Sequence, residues 1–274
     1  MSQKQANYEP AEPEWLAKPS AGCCLKGHIH SGTALGRFEK VDNIETYISE
    51  PPAGKANGNI ILYYADVYGM FTNGLLIMDE MAKAGYLVLG LDYFQGDPVY
   101  LYRTDAKTPV EGFDFNAFLK KHGDFAAAHV PGWIDAVKHK YGKPSTRYAC
   151  VGYCFGAPYV CDSLAPGPNN SPPACQVGAF AHPAFLKEEH FRKLEKPLLL
   201  SCAETDFTFG TESRNKAVDV LIERKATYHV QLFSGVEHGF ALRCDLSVPY
   251  ERWAKEQSLA GIIAWFDLHL GENK

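Results

Sequence analysis

The amino-acid sequence predicts an α/β protein with a mostly parallel central sheet covered by helices on both faces. Apolar runs of strand length alternate with segments of helical periodicity, an order typical of βαβ units. Residues 86–91 are continuously apolar, as expected of a strand buried on both faces. The chain has 274 residues, 46% of them hydrophobic, which suffices for one sizeable core. We expect a single domain over residues 1–274, with residues 1–20 as an extended N-terminal arm.

In the first half of the chain, apolar runs predict the strands, and apolar residues at helical spacing predict the helices. Met78 and Met81 belong to one such helix, with Thr72 or Asn73 available as its cap and Gly85 as its stop. The expected elements are strands at 44–48, 59–65, 86–91 and 147–151 and helices at 75–83 and 124–141.

The second half continues the alternation. Its expected elements are strands at 177–181, 197–202 and 228–233 and helices at 157–164, 211–225 and 249–270. The closing helix carries its core contacts at helical spacing, and these are expected to be Trp253, Ile262, Ile263, Phe266 and Leu270.

Charge and hydropathy exclude several classes of function. The formal net charge is -5, and the charges are scattered, so there is no basic stripe for nucleic acid and no polybasic segment for a membrane surface. No apolar run approaches the roughly 18 residues of a spanning helix, and the N-terminus lacks an apolar signal core. We expect a soluble cytoplasmic protein without nucleic-acid or membrane partners, and a homodimer is left open.

Eight cysteines are present, and without a secretory signal they are expected to be free thiols. Cys23 and Cys24, with His28 and His30 nearby, invite a metal interpretation. Adjacent cysteines point to opposite faces of an extended chain, so the two thiols are poorly placed to bind the same metal ion. No metal site is therefore predicted.

The pentapeptide Gly152-Tyr153-Cys154-Phe155-Gly156 has the spacing of a nucleophile elbow, with cysteine where serine is usual. A buried strand is predicted before it and a helix after it, which is the context that the motif needs. Glycine at both flanking positions allows a strained turn that projects the sulfur at the carboxyl edge of the sheet. The helix N-terminus behind the sulfur favours the thiolate. This pattern predicts a nucleophile for acyl transfer.

An acid and a base follow in the chain order that such a nucleophile requires. Asp206 comes just after one predicted strand, and His238 just after the next. Open α/β sheets place their binding residues at these strand ends. Asp206 could instead cap a helix beginning near Thr208. His182, which also follows a strand, is the competing histidine and is expected to be a pocket wall or hydrogen-bonding residue.

Taken together, the elbow, Glu204-Thr205-Asp206, Glu237-His238-Gly239-Phe240 and Asp66-Val67-Tyr68-Gly69 resemble the dienelactone hydrolase family of the α/β-hydrolases, and the Cys23–Gly27 stretch resembles its fungal branch. The resemblance implies the α/β-hydrolase fold, with Cys154 as the nucleophile, His238 as the base and Asp206 as the residue that orients it.

The chain departs from the family at two places. The bacterial members typically carry glutamate where this chain has Asp66, which is one methylene shorter. Their arginine after the fourth strand is absent here, and Arg243 is shifted by one position from their second arginine. Recognition of the same small diacid is therefore not expected. Arg243 could instead be a surface residue paired with Asp245 or Glu251, and Asp66 could simply bind loop amides.

The chemistry of a thiolate nucleophile limits which acyl substrates are expected. The oxyanion would be held by the backbone N–H groups of Phe155 and Val67. Because a thiolate is a good leaving group, activated acyl groups such as lactones, thioesters and aryl esters suit it better than peptides, and no cofactor is implied. A small lactone or ester is the expected substrate. The candidate substrate-binding residues are Asp66, Tyr68, Phe94, His182, Phe207 and Arg243.

Other functions stay open on the sequence alone. One is a thioesterase or acyl-processing enzyme of the same fold. Another is a non-catalytic protein in which the elbow thiol binds a ligand or senses an oxidant.

Overall fold

The computed structural model describes residues 15–19, 26–105 and 107–271. Ten strands lie in these ranges, and eight of them form the central sheet. They are β1 (Trp15–Ala17), β2 (Arg37–Val41), β3 (Ile44–Ser49), β4 (Ile60–Tyr64), β5 (Leu87–Leu91), β6 (Tyr148–Tyr153), β7 (Val177–Ala181), β8 (Leu186–Lys187), β9 (Leu198–Thr205) and β10 (Tyr228–Glu237).

Seven α-helices connect or flank these strands in the described ranges. They are α1 (Thr72–Lys83), α2 (Phe115–Tyr141), α3 (Ala157–Leu164), α4 (Glu188–Arg192), α5 (Thr211–Glu223), α6 (Phe240–Arg243) and α7 (Pro249–Leu270). None of these helices is long and apolar enough to cross a membrane.

The central sheet has the order β10-β9-β7-β6-β4-β5-β3-β2. In this order all neighbouring pairs from β10 to β5 are parallel, and only the β5–β3 and β3–β2 pairs at one edge are antiparallel, so β3 is the one strand of this sheet that runs against the others. The predicted α/β class and its mostly parallel sheet are therefore confirmed. From β4 the chain moves to β5 on one side and then returns to β6 on the other, so the strand order reverses there. The crevice at the carboxyl ends of β4 and β6 is where open α/β sheets bind ligands.

Every residue of β4, β6 and β7 is buried, as their continuous apolar runs predict. Helix α7 packs on the sheet through residues spaced by four. Its buried residues are Ala254, Ser258, Ile262, Phe266 and Leu270. Trp253 was expected in the core, but it is 47% exposed because it lies one position off this stripe.

Several predicted boundaries are corrected. Helix α2 begins at Phe115, nine residues before the expected start, because Asp114 accepts a hydrogen bond from the Ala117 N–H at 3.0 Å and caps it there. Neither Thr72 nor Asn73 caps α1, whose N-cap residue is Phe71. Asn73 is buried instead and binds the backbone of three distant residues: His28, His30 and Leu242.

Strands β9 and β10 extend to Thr205 and Glu237, three and four residues beyond the predicted ends. Asp206 and His238 consequently follow their strands without an intervening loop. The short strands β1, β2 and β8 were not predicted. β1 pairs antiparallel with β8 in a separate two-stranded sheet, which ties residues 15–17 of the predicted arm to the domain.

Candidate active site

The nucleophile elbow stands at the carboxyl end of β6. Cys154 has φ of 49°, a left-handed conformation that is strained for a residue other than glycine. A 3-10 turn over Cys154–Gly156 then leads directly into α3. Both flanking glycines are sterically required. A Cβ atom at Gly152 would lie 2.5 Å from the Gly156 carbonyl oxygen, and one at Gly156 would lie 2.2 Å from the Tyr64 carbonyl oxygen of β4.

Asp206 and His238 are in direct contact. Nδ1 of His238 lies 3.0 Å from each carboxylate oxygen of Asp206, and the two side chains are only 1% and 2% exposed. An ionised carboxylate can only accept hydrogen bonds, so Nδ1 carries the proton and Nε2 is the basic atom of the neutral ring. This is the tautomer that a general base needs.

The pKa of Asp206 is lowered below its usual 3.8. Burial alone would raise this pKa, but the positive charge that His238 carries when it is protonated, together with the hydrogen bonds from His238 and Thr208, more than offsets the desolvation. Asp206 Oδ1 also accepts the backbone N–H groups of Thr208 at 2.8 Å and Phe209 at 3.2 Å. Asp206 is not the N-cap of α5, because that position is held by Gly210.

Thr208 is a polar member of this site that the sequence did not identify. Its hydroxyl lies 2.7 Å from Asp206 Oδ1 and 3.0 Å from His238 Nδ1, and the residue is buried. Threonine is common in loops, so its position two residues after Asp206 was the one signal that the sequence offered.

Asp66 and Arg243 form a buried ion pair. Nε of Arg243 lies 3.3 Å from Oδ2 of Asp66, while Oδ1 accepts the Tyr68 N–H at 2.9 Å. Asp66 therefore binds a loop amide and an arginine together. The alternative of a surface Arg243 paired with Asp245 or Glu251 is wrong, because the Arg243 side chain is buried against Asp66.

Tyr68 lies between two arginines. The guanidinium carbons of Arg243 and Arg103 are 4.5 Å and 5.0 Å from the centre of its ring, and Arg103 also donates to its hydroxyl. Burial raises the pKa of Tyr68, and the charges of the two arginines only partly offset this effect. Arg103 was missed by sequence reasoning because it lies in the loop after β5, whose path cannot be derived from spacing.

His182 follows β7 and packs beside the Asp206–His238 pair, with its ring centre 5.1 Å from that of His238. The residue is fully buried, and its φ is 36°. Neither of its ring nitrogens has a hydrogen-bond partner among the described residues. Burial, and then the charges of His238 and Arg243, lower the pKa of His182 well below 6.5, so the ring is neutral at neutral pH.

Phe94 and Phe207 differ in their exposure to solvent and in their neighbours. Phe94 is fully buried in an aromatic cluster with Phe118, His122 and Phe155, the last of which is part of the elbow. Phe207 is 78% exposed and lines a groove of about 380 Å³ beside Trp15, rather than the cleft that reaches His238. The structure thus places neither residue on the cleft that reaches His238, and their roles as substrate contacts stay predictions.

None of the six cysteines within the described ranges forms a disulfide bond. Burial raises the pKa of Cys150 and Cys161, which are structural core residues. Cys23 and Cys24 lie outside the described residues. Nowhere in the described ranges do three or more His, Cys, Asp or Glu side chains form a group that could hold a metal.

Known proteins resemble this chain along nearly its whole length. The profile of the dienelactone hydrolase family matches residues 44–270. The chain is 38% identical over 258 residues to dienlactone hydrolase 1 of Gibberella moniliformis, covering 93% of this chain and 96% of that protein. It is 35% identical over 259 residues to hydrolase pyvD of Aspergillus violaceofuscus, covering 92% and 98%.

A solved structure shares the fold at lower identity. The crystal structure of a putative dienelactone hydrolase from Klebsiella pneumoniae superposes with a TM-score of 0.64 at 14% identity, covering 86% of this chain and 99% of that one. The central sheet described above is therefore that of an α/β-hydrolase. Together with the family profile and the fungal relatives, these observations mean that the chain belongs to the dienelactone hydrolase family and is a hydrolase of carboxylic ester bonds.

Proposed function

We propose that this protein opens lactones or cleaves activated esters without a cofactor, using Cys154 as the nucleophile, His238 as the base and Asp206 as the residue that orients the base. The observation that carries the proposal is the buried contact between Asp206 and His238, which leaves Nε2 as the basic atom. A neutral imidazole in this tautomer can accept the thiol proton and later return a proton to the leaving group.

In the first half-reaction the Cys154 sulfur attacks the acyl carbon, and the carbonyl electron pair moves to oxygen. The backbone N–H groups of Phe155 and Val67 are the proposed donors to that oxyanion. Phe155 follows Cys154 at the end of β6, and Val67 lies in the loop after the adjacent strand β4. When the carbonyl re-forms, the alkoxide or enolate leaves and takes the proton from the His238 imidazolium.

In the second half-reaction His238 removes a proton from water, which attacks the thioester carbon. Collapse of this second adduct releases the carboxylic acid and expels the thiolate. Because sulfur is a better leaving group than an amine, the first adduct of an amide would revert to starting material. The mechanism therefore favours lactones, aryl esters and thioesters over peptides.

The proposed nucleophile and base are both withdrawn from solvent. The Cys154 thiol is fully buried, and the His238 side chain is nearly so. A cleft of about 240 Å³ reaches His238 and Arg243. Lys26 and Glu237, which form an ion pair, line this cleft. We propose this cleft as the route of a small substrate. Asp66, Tyr68, His182 and Arg243 are the proposed binding residues, and His182 would offer a neutral ring nitrogen to the substrate.

The proposal is tested by single-turnover and steady-state assays on a panel of small lactones, aryl esters and acyl thioesters. The parent protein should hydrolyse at least one of these classes. Cys154→Ala should lower the rate by at least about 10³-fold, and Cys154→Ser should retain a small activity. Mass spectrometry of a slow ester should show an acyl group on Cys154. Equal rates for all three proteins would contradict the assignment of the nucleophile.

A further inference from the structure

Thr208 links the three strand ends that carry the site. Its hydroxyl oxygen lies 2.7 Å from the Pro183 carbonyl oxygen, 2.7 Å from Asp206 Oδ1 and 3.0 Å from His238 Nδ1. Pro183 belongs to the segment after β7, Asp206 follows β9, and His238 follows β10. Thr208 is 3% exposed, so water competes little for these contacts.

The donors and acceptors in this cluster permit few hydrogen-bond arrangements. A threonine hydroxyl has one proton to donate and two lone pairs to accept with. The Pro183 carbonyl and the Asp206 carboxylate can only accept. Because the Asp206 carboxylate fixes a proton on His238 Nδ1, the hydroxyl cannot donate to that nitrogen, and its own proton points at one of these two oxygens. In both arrangements Thr208 presents a lone pair to the Nδ1–H and adds a second acceptor that favours this tautomer.

The segment that the Thr208 hydroxyl binds also contacts the backbone of Cys154. Ala184, next to Pro183, donates its N–H to the Cys154 carbonyl oxygen at 3.0 Å. Residues 182–185 include two left-handed residues, His182 at φ 36° and Phe185 at φ 62°, so the segment holds a conformation that its surroundings must maintain. The bond to Thr208 is one of the contacts that maintain it.

We propose that Thr208 is a positioning residue for the catalytic histidine: its hydroxyl holds the Asp206 carboxylate and the 182–185 segment together, and thereby keeps the His238 ring in its reactive tautomer and orientation. The proposal deepens the function of the site and rests on the Cys154, His238 and Asp206 mechanism. Thr208 touches the acid and the base but takes no proton from substrate, so it acts through His238.

The test compares Thr208→Val, which removes the hydroxyl at nearly constant shape, with Thr208→Ser, which keeps it. On the best ester of the panel, Thr208→Val should lower the single-turnover acylation rate by about 10- to 100-fold, because a charge-assisted hydrogen bond and the ring position are lost. KM should stay within about twofold, since no substrate contact changes. Thr208→Ser should recover the rate to within about threefold of the parent protein.

A second measurement does not depend on turnover. Proton NMR of the unliganded protein should show a downfield His238 Nδ1–H resonance, assigned by its loss in His238→Gln. In Thr208→Val this resonance should move upfield and exchange with water faster, while Thr208→Ser should keep it. If Thr208→Val does not fold, judged by near-ultraviolet circular dichroism, Thr208→Ala carries the same comparison.

The outcomes separate this proposal from the proposed function. A parent protein that hydrolyses none of the panel would refute the function, while the resonance would still test Thr208. A Thr208→Val protein with the parent rate and an unchanged resonance would overturn the positioning role. So would a Thr208→Ser protein as impaired as Thr208→Val, because the hydroxyl would then not be the active feature.

Discussion

The guanidinium of Arg243 lies 3.3 Å from the carboxylate of Asp66, and both side chains are withdrawn from solvent. The two residues are far apart in the chain, one after β4 and the other in α6. Burial of each charge is tolerable because the other is present. The geometry also depends on glycine, since a Cβ atom at Gly239 would lie 2.7 Å from Nη2 of Arg243.

Breaking this pair should destabilise the protein. Arg243→Met leaves the Asp66 carboxylate buried without its arginine, and the expected loss is about 3–5 kcal/mol in the free energy of unfolding. The double variant Asp66→Asn/Arg243→Met should recover part of the loss, because no uncompensated charge remains. Urea denaturation of Asp66→Asn, Arg243→Met and the double variant measures the coupling free energy between the two residues. Strictly additive single losses would mean that the two residues do not interact.

The two neighbouring histidines should respond differently to replacement. His238→Gln removes the proposed base and should lower single-turnover acylation by about 10²- to 10⁴-fold. His182→Gln leaves the Asp206–His238 contact in place and should act mainly on KM. Rapid-quench acylation with one activated ester compares them directly. A larger acylation defect in His182→Gln than in His238→Gln would reverse the assignment of the base.

His182 should also contribute to the pH dependence of stability. Its pKa is lowered by burial in the folded protein, so below pH 6.5 the unfolded chain binds a proton that the folded one does not. Stability should therefore fall as pH decreases from 6.5, with a limiting slope of about 1.4 kcal/mol per pH unit from this residue.

Burial also lowers the pKa values of other histidines, including the buried His30 and His122 and the half-buried His190, and these add to the same trend. The measurement is therefore the difference in unfolding free energy between the parent protein and His182→Gln at pH 5 and pH 7.5. This difference should be smaller at pH 5, because only the parent protein loses the contribution of His182. An equal difference at the two pH values would show that His182 does not titrate on unfolding in this window.

The elbow should tolerate no side chain at Gly156. In Gly156→Ala the new Cβ atom would lie 2.2 Å from the Tyr64 carbonyl oxygen, so strand β4 or the elbow must shift. The expected loss is about 1–3 kcal/mol or more in stability, together with lost acylation. Gly123 is a matched control, because it lies within α2 and a Cβ atom there has no neighbour within 4 Å.

Gly123→Ala should stabilise the protein by about 0.5–1 kcal/mol, since alanine loses less conformational freedom than glycine in a helix. Thermal unfolding of both variants, with acylation assays on the folded protein, completes the comparison. A Gly156→Ala protein as stable and as active as Gly123→Ala would contradict the steric account of the elbow.

Much of the architecture was predictable from the sequence because it depends on local patterns. Continuous apolar runs predicted β6 and β7, and apolar residues at helical spacing predicted α7 from Pro249 to Leu270. The start of α2 was not predictable in this way. Asp114 caps this helix, but aspartate is also common in turns, so its presence in the sequence did not identify it as the cap.

The sequence by itself determined the fold class, the family and the order of Cys154, Asp206 and His238 along the chain, because strand periodicity and motif spacing are properties of neighbouring residues. Only the tertiary structure decided that Asp206 contacts His238, that Arg243 is buried against Asp66 and that Thr208 joins Pro183 to both Asp206 and His238. These contacts join residues that the chain brings together only when parallel strands align their carboxyl ends. No local pattern encodes which side chains meet there, since loop paths and burial set the distances.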